Sequence, residues 1–329
     1  MSTSMRSDLS RRDLLTAGLA ALVAASTRAI QGSAPEPVPI IDAHIHLYDT
    51  SRTGGVPWPP QTDSVLYKPA MPARYKAVTR GLGVRGAIAI ECSPWESDND
   101  WLLETAAKDP VIVGVVGDLV PGSASFRKNL DRLSAKPLFR GIRYGNLWNR
   151  NLGADMNRAG FIEDLKVLGD AKLVLDSANP DAELISALVR IKDKVPELTI
   201  VIDHLPNAQI PADALAQKEY TANLGKLRDS SRVFVKLSEI PARVNDKVSL
   251  ELQFYKQKLD AIWDLFGENR LLFGSDWPNS DHLANYMQTL ELVRQYVATK
   301  GRTAEEKFFW RNSIAAYGWL PRLSTQPNA

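Results

Sequence analysis

Apolar residues along this chain gather into short unbroken runs rather than one continuous stripe. Eight runs stand out: Pro39–Leu47, Gly86–Cys92, Val111–Leu119, Leu138–Tyr144, Lys172–Asp176, Thr199–His204, Val233–Leu237 and Arg270–Asp276. Several, such as VIVGVV and LTIVID, are rich in β-branched residues and show no polar alternation, the pattern of strands buried on both faces of a parallel sheet. Between them lie stretches with helical spacing: Asp98–Lys108, Ser123–Ser134, Gly160–Leu168, Asp181–Val195, Asp213–Arg228, Ser249–Phe266 and His282–Lys300. Strand–helix alternation with eight strands predicts an α/β fold, one TIM-like (β/α)8 barrel domain over residues 35–329. A doubly wound open sheet would require a glycine-rich phosphate turn after the first strand. That position holds His-Ile-His. The Pro- and Gly-rich segment from Thr50 to Pro72 is expected to loop over the barrel mouth.

Composition changes this picture mainly at the N-terminus. The 329 residues, 44% of them hydrophobic, suffice for a large core. A net charge of +2 without a Lys/Arg-rich run argues against a nucleic-acid partner. Cys92 is the only cysteine, which excludes an internal disulfide and a cysteine-based zinc cluster. Ser10-Arg11-Arg12-Asp13-Leu14-Leu15 is a twin-arginine pattern, followed by an Ala/Leu-rich run from Leu14 to Ala25. That run is shorter than the roughly 20 residues of a spanning helix. Small residues then lead to a cleavage region between Ala29 and Ala34. Residues 1–34 therefore read as a twin-arginine signal peptide and linker, predicting a folded protein exported to the periplasm with no membrane anchor after cleavage.

The chemistry of a barrel sits where its strands end. The first strand ends with His44 and His46, two residues apart, so alternation allows both imidazoles to face the interior. The sixth ends with Asp203 and His204, the eighth with Ser275 and Asp276. Three histidines and an aspartate thus converge on one rim from three strands. They can ligate a zinc-type cation, or activate water and polarise a carbonyl without one.

The stretches DAHIHLYD, VIDHLP and LLFGSDWP, with FRGIRYG and the closing FFWRNSIAAYGWL, resemble the amidohydrolase-related (amidohydrolase 2) branch of the amidohydrolase superfamily from about residue 39 to 320. Asn312 and Tyr317 match its terminal Asn–Tyr-Gly pattern. The likeness is greatest to the lactonases: 2-pyrone-4,6-dicarboxylate hydrolase, sugar lactonases and sulfomuconolactone hydrolase. The resemblance implies a distorted (β/α)8 barrel and hydrolysis of a lactone ester. Asp276 would be the general base, or a metal ligand that takes the proton from water. His44, His46 and His204 would bind metal or polarise the carbonyl. The fourth strand lacks the bridging Lys or carboxylate and the fifth ends in Asp176 rather than His, departures that speak against a binuclear centre. One divalent ion, zinc first, on His44, His46 and Asp276 is the expectation, with metal-independent action left open.

Arg140 and Arg143 near the end of the fourth strand and Arg243 after the seventh suggest a small anionic lactone, since guanidinium forks onto carboxylate or sulfonate. Alternation, however, points only one of Arg140 and Arg143 inward. Tyr48 and Tyr144 are candidate hydroxyl donors, and Asp176 and Glu91 candidate partners that orient a histidine. Trp58 and Trp277 are expected to wall the pocket, and His282 to cap a helix or lie on the surface. An aromatic-catabolite lactone of the sulfomuconolactone or pyrone-dicarboxylate type is the expected substrate. The rivals are a metal-dependent decarboxylase of the same superfamily and a non-catalytic periplasmic binding protein.

Overall fold

The computed structural model describes residues 37–328, so the twin-arginine segment lies outside the described residues. Eight strands form one sheet in chain order: β1 (Ile40–His46), β2 (Val84–Ile90), β3 (Ile112–Gly117), β4 (Phe139–Arg143), β5 (Val174–Ser177), β6 (Thr199–Ile202), β7 (Val233–Leu237) and β8 (Leu271–Phe273). Every adjacent pair is parallel. The sheet comes round to its start just beyond β8, where Asp276 N donates to His44 O (2.9 Å) and His46 N to Trp277 O (2.7 Å). The expected barrel is the observed one.

Asp42 secures that seam. It is fully buried and accepts from Ser275 N (2.9 Å), His44 N (3.2 Å), Tyr286 Oη (2.9 Å) and Tyr75 Oη (3.2 Å). A carboxylate without water must find donors elsewhere, and four converge here.

The outer layer consists of α1 (Pro72–Val78), α2 (Asp98–Lys108), α3 (Phe126–Ser134), α4 (Phe161–Asp170), α5 (Ala182–Lys194), α6 (Ala214–Arg228), α7 (Leu252–Phe266) and α8 (Tyr286–Ala298). Their starts follow local chemistry. Asp181 and Asp213 accept from Leu184 N and Ala216 N, and Asn285 with Gln288 forms a capping box. The apolar pattern announces neither α1, seven residues long with only Pro72 and Tyr75 buried, nor the short helix Leu152–Asp155. The C-terminal segment, Arg302–Glu306, a π turn at Lys307–Arg311 and Asn312–Tyr317, packs at the start of β8. There Asn312 Nδ2 donates to Leu271 O (2.8 Å) and Phe309 meets Phe273 edge-on. No helix among the described residues is long and apolar enough to cross a membrane.

Candidate active site

At the C-terminal rim a cavity of about 780 Å³ is lined by His46, Arg143, His204, Glu239, Asp276 and Asn279, with Trp58, Trp148, Leu147, Cys92 and Asn179 completing the wall. Three of these residues follow β6, β7 and β8 in left-handed backbone: His204 (φ 52°), Glu239 (φ 56°) and Asp276 (φ 58°). Non-glycine residues hold that conformation only where the surroundings impose it, and such strain gathers at functional sites.

His44 Nε2, His46 Nε2 and Asp276 Oδ1 form a tight triangle with separations of 3.3, 3.2 and 3.6 Å. Ligands about 2.0–2.1 Å from one tetrahedral zinc stand about 3.3–3.4 Å apart, so the triangle matches one tetrahedral face. The chemistry of the donors agrees. His46 Nδ1 lies 3.1 Å from Ile90 O, a pure acceptor, so Nδ1 carries the proton and Nε2 presents its lone pair. Asp276 Oδ1 is buried and has no hydrogen-bond partner, while Oδ2 accepts from Asn279 Nδ2 (2.7 Å). Burial alone would raise the Asp276 carboxyl, but His204 and His46 outweigh it and hold it below the usual carboxylate range. Burial, reinforced by Lys236, pushes His44 well below its ordinary value and keeps its ring neutral. Neutral imidazoles and an ionised carboxylate are what a divalent cation requires.

His204 stands beside this triangle, its ring centroid 4.5 Å from that of His44. Ser238 Oγ lies 2.7 Å from its Nδ1 and holds the ring from that side, while Glu239 Oε1 stands 3.8 Å from its Nε2, beyond hydrogen-bond distance.

Beneath the histidines lies a charged layer. Lys236 in β7 is fully buried, with Nζ 2.6 Å from Asp176 Oδ2, 2.9 Å from Asp203 Oδ1 and 3.2 Å from His44 Nδ1. Tyr317 Oη donates to both oxygens of Asp176 (2.9 and 3.0 Å). Burial pushes Asp176 up to about 6 against the pull of Lys236. Burial would raise Asp203 too, but Lys236, His44 and Arg143 prevail and hold it well below its usual range. Arg143 Nε donates to Asp203 Oδ2 (3.2 Å), and its Nη1 faces Glu91. Burial pushes Glu91 up to about 8 against Arg143.

His46, His204, Asp276 and Arg143 thus reach the cavity, and His44 lies one layer deeper. The other sequence candidates lie elsewhere. Arg140 does not line the cavity; it is one residue out of phase with the inward Gly141 and Arg143, as strand parity requires. Arg243 is exposed in a two-strand hairpin (Arg243–Val244 with Lys247–Val248) and donates to Asp246 O. Tyr48 Oη donates to Leu66 O (2.8 Å) and Tyr144 Oη to Asp155 Oδ2 (2.6 Å) at the end of the short helix Leu152–Asp155, so both hydroxyls are taken by the segments between strands. Asp176 serves Lys236 below the floor. Trp58 lines the cavity, whereas Trp277 is buried beside Tyr75 and Arg74. His282 pairs on the surface with Asp63 (2.9 Å), holding down the long loop after β1. Sequence reasoning missed Lys236, Glu239 and Asn279. Only Lys236 leaves a sequence signal, a lysine inside the apolar run VFVKL.

Gly274 sets the approach of β8 to β1. A Cβ there would stand 2.8 Å from His44 Cβ and 3.3 Å from Ser238 Cβ. Gly274→Ala should therefore cost about 1–3 kcal/mol of stability through overpacking and displace His44. Denaturant unfolding together with metal titration would check both; a stable variant with unchanged metal affinity would refute the argument.

A family model described as amidohydrolase matches residues 41–319. Among curated proteins, an L-fucono-1,5-lactonase from Burkholderia ambifaria is 29% identical over 255 residues, covering 75% of this chain and 83% of that protein. A crystal structure of an amidohydrolase from Burkholderia multivorans with bound zinc superposes with a TM-score of 0.72 at 22% identity, covering 86% of this chain and 100% of that one. A probable 2-pyrone-4,6-dicarboxylic acid hydrolase from Acinetobacter baumannii with citric acid bound gives 0.65 at 18% identity, covering 85% and 99%.

Proposed function

Because the chain belongs to the amidohydrolase family, we propose that it is a hydrolase that opens a small, uncharged, hydroxyl-rich lactone at the ring carbonyl. The observation that carries the hydrolase reading is the triangle of His44 Nε2, His46 Nε2 and the unpartnered Asp276 Oδ1 at the cavity floor. The naming of curated relatives as L-fucono-1,5-lactonases supports a lactone as substrate.

The lining supports the uncharged class. Among the described residues Arg143 is the one lysine or arginine in the wall, and it is already engaged by Asp203 and Glu91, while Asp276 and Glu239 add negative charge. An anionic lactone of the sulfomuconolactone or pyrone-dicarboxylate type is the second reading. It would require Arg143 to turn its guanidinium from those partners to the substrate.

His44, His46 and Asp276 would hold one divalent ion, zinc by the match of spacing and donor type. Such an ion supplies Lewis-acid polarisation and lowers the pKa of water. Asp276 takes a proton from the attacking water as its oxygen adds to the ring carbonyl. When Ser238 Oγ–H donates to His204 Nδ1, Nε2–H points at the cavity and donates to the oxyanion. The ring C–O bond then breaks, the proton returns to the alkoxide, and a hydroxy acid leaves.

The test is a pH-indicator assay of chelator-stripped protein, reloaded with Zn2+ or Mn2+, against neutral sugar lactones and anionic lactones. Activity on the neutral set that returns with about one metal per chain is expected. Preference for anionic lactones would select the second reading, and release of carbon dioxide from aromatic acids without lactone opening would replace both with a decarboxylase.

A further inference from the structure

Beside the catalytic cavity lies a second hollow of about 700 Å³, lined by Asn146, Asn179, Asp181, Asn207, Gln209, Pro180, His204 and Glu239. Asn179, His204 and Glu239 belong to both, so the two hollows share a wall. Among the described residues no lysine or arginine lines the second one.

Its amides are oriented by their neighbours. Asn146 Nδ2 donates to Asn179 O (3.3 Å) and Asp181 Oδ2 (3.1 Å), Asn179 Nδ2 to Asn146 O (2.8 Å), and Asn207 Nδ2 to Glu239 O (2.9 Å) and Oε2 (2.8 Å). Each partner is a carbonyl or carboxylate oxygen, which can only accept, so the amide nitrogens are turned into the protein. Among the described residues no hydrogen bond reaches Asn179 Oδ1 or Asn207 Oδ1, and the Gln209 amide makes none. The trough therefore presents the Asn179 and Asn207 carbonyl oxygens and the acids Asp181 and Glu239 as acceptors, with the Gln209 amide left to donate or accept, and it repels anions. The two loops that form it are tied together: Gln209 N donates to Pro180 O (3.3 Å), and Asp181 and Gln209 form a parallel bridge. The acceptor array is held in place before a ligand arrives, which limits the ordering cost of binding.

A neutral ligand whose groups both donate and accept suits such a lining, and the hydroxyls of a polyol do both. We infer that this trough is a saccharide subsite that takes a second sugar unit attached to the lactone, so that the substrate class is an aldonolactone derived from a disaccharide. The assignment of the lactone rests on the hydrolase reading above; the trough as a sugar site does not.

The experiment compares kcat/KM for a monosaccharide 1,5-lactone and for cellobiono-1,5-lactone, with wild type and Gln209→Trp. Gln209 lines only the trough, and the indole fills it. The wild type is expected to favour the disaccharide lactone about tenfold, mainly through KM, a preference equal to roughly 1.4 kcal/mol. In Gln209→Trp the preference should fall to about one, with monosaccharide turnover unchanged. Equal turnover of both lactones by the wild type, or a preference that survives Gln209→Trp, overturns the subsite while the hydrolase stands. If neither lactone is opened, the neutral-lactone reading fails. Calorimetric titration with free cellobiose then decides the trough: binding lost in Gln209→Trp supports it, and no binding to wild type overturns it.

Discussion

Asp276→Asn is expected to lower kcat/KM for lactone opening by about 10²–10⁴-fold, the usual worth of a positioned general base, and to abolish stoichiometric metal binding. The reason lies in how the two carboxylate oxygens are divided. Oδ2 accepts from Asn279 Nδ2, a donor, so the new amide must turn its oxygen to that side. Its NH2 group then takes the place of Oδ1, 3.2 Å from His46 Nε2. His46 holds its lone pair there because Nδ1 faces Ile90 O, and the amide would donate into it. The substitution therefore removes the base and occupies a neighbouring ligand with almost no change in shape. Elemental analysis alongside kinetics and a melting curve would show this as a folded, metal-poor, inactive protein. A variant that keeps about one ion per chain and near wild-type kcat would sink the assignment of Asp276.

Why these residues could be found in the sequence, and others could not, follows from the same geometry. His44, His46, His204 and Asp276 sit at the ends of apolar runs, and a barrel brings all such ends to one rim, so position along the chain determines position in space. Arg140 and Arg143 show the limit of that logic. Parity tells that one of them points inward, but only the partners, Asp203 and Glu91 on neighbouring strands, show that the inward one is already engaged. Tyr48 and Tyr144 fail as substrate donors for a related reason: Leu66 O and Asp155 claim their hydroxyls, Leu66 from a turn and Asp155 from the single helical turn Leu152–Asp155, neither of which any periodicity announces. Glu239 and Asn279 follow their strands by two or more residues, where left-handed turns, not alternation, decide direction. Lys236 is the exception that was legible and unread. A buried ammonium demands anionic partners, and the carboxylates one residue before the ends of β5 and of the strand-six run, Asp176 and Asp203, are the available ones.

Lys236→Met should be the most destabilising single change at this site, by about 3–5 kcal/mol, because removing one member of a buried ion cluster leaves the others uncompensated. Asp176 and Asp203 are both fully buried, and each lies within 3 Å of the lost ammonium. The loss should depend on pH. Asp176 already sits near 6 with Lys236 beside it, above the roughly 3.9 of an unfolded aspartate. Without Lys236 its folded value rises further. Between the unfolded and folded values the native state binds more protons than the unfolded one, so the free energy of unfolding falls as pH rises. In wild type that window closes near pH 6; in the variant it extends above it, and the deficit should be larger at pH 8 than at pH 5.5. Urea unfolding at both pH values measures this, and a loss under about 1 kcal/mol, or one flat with pH, would refute it. The double substitution Lys236→Met/Asp176→Asn separates stability from function. It removes the carboxylate that has no other cation and leaves Asp203 with Arg143 Nε at 3.2 Å, so much of the stability should return. Metal affinity should not return with it, because Asp203, whose Oδ1 stands 3.5 Å from His44 Nδ1 and accepts its proton when Nε2 ligates, has still lost the ammonium 2.9 Å away that positions it. A double variant that regains both would mean that Lys236 only neutralises the floor and has no part in placing His44.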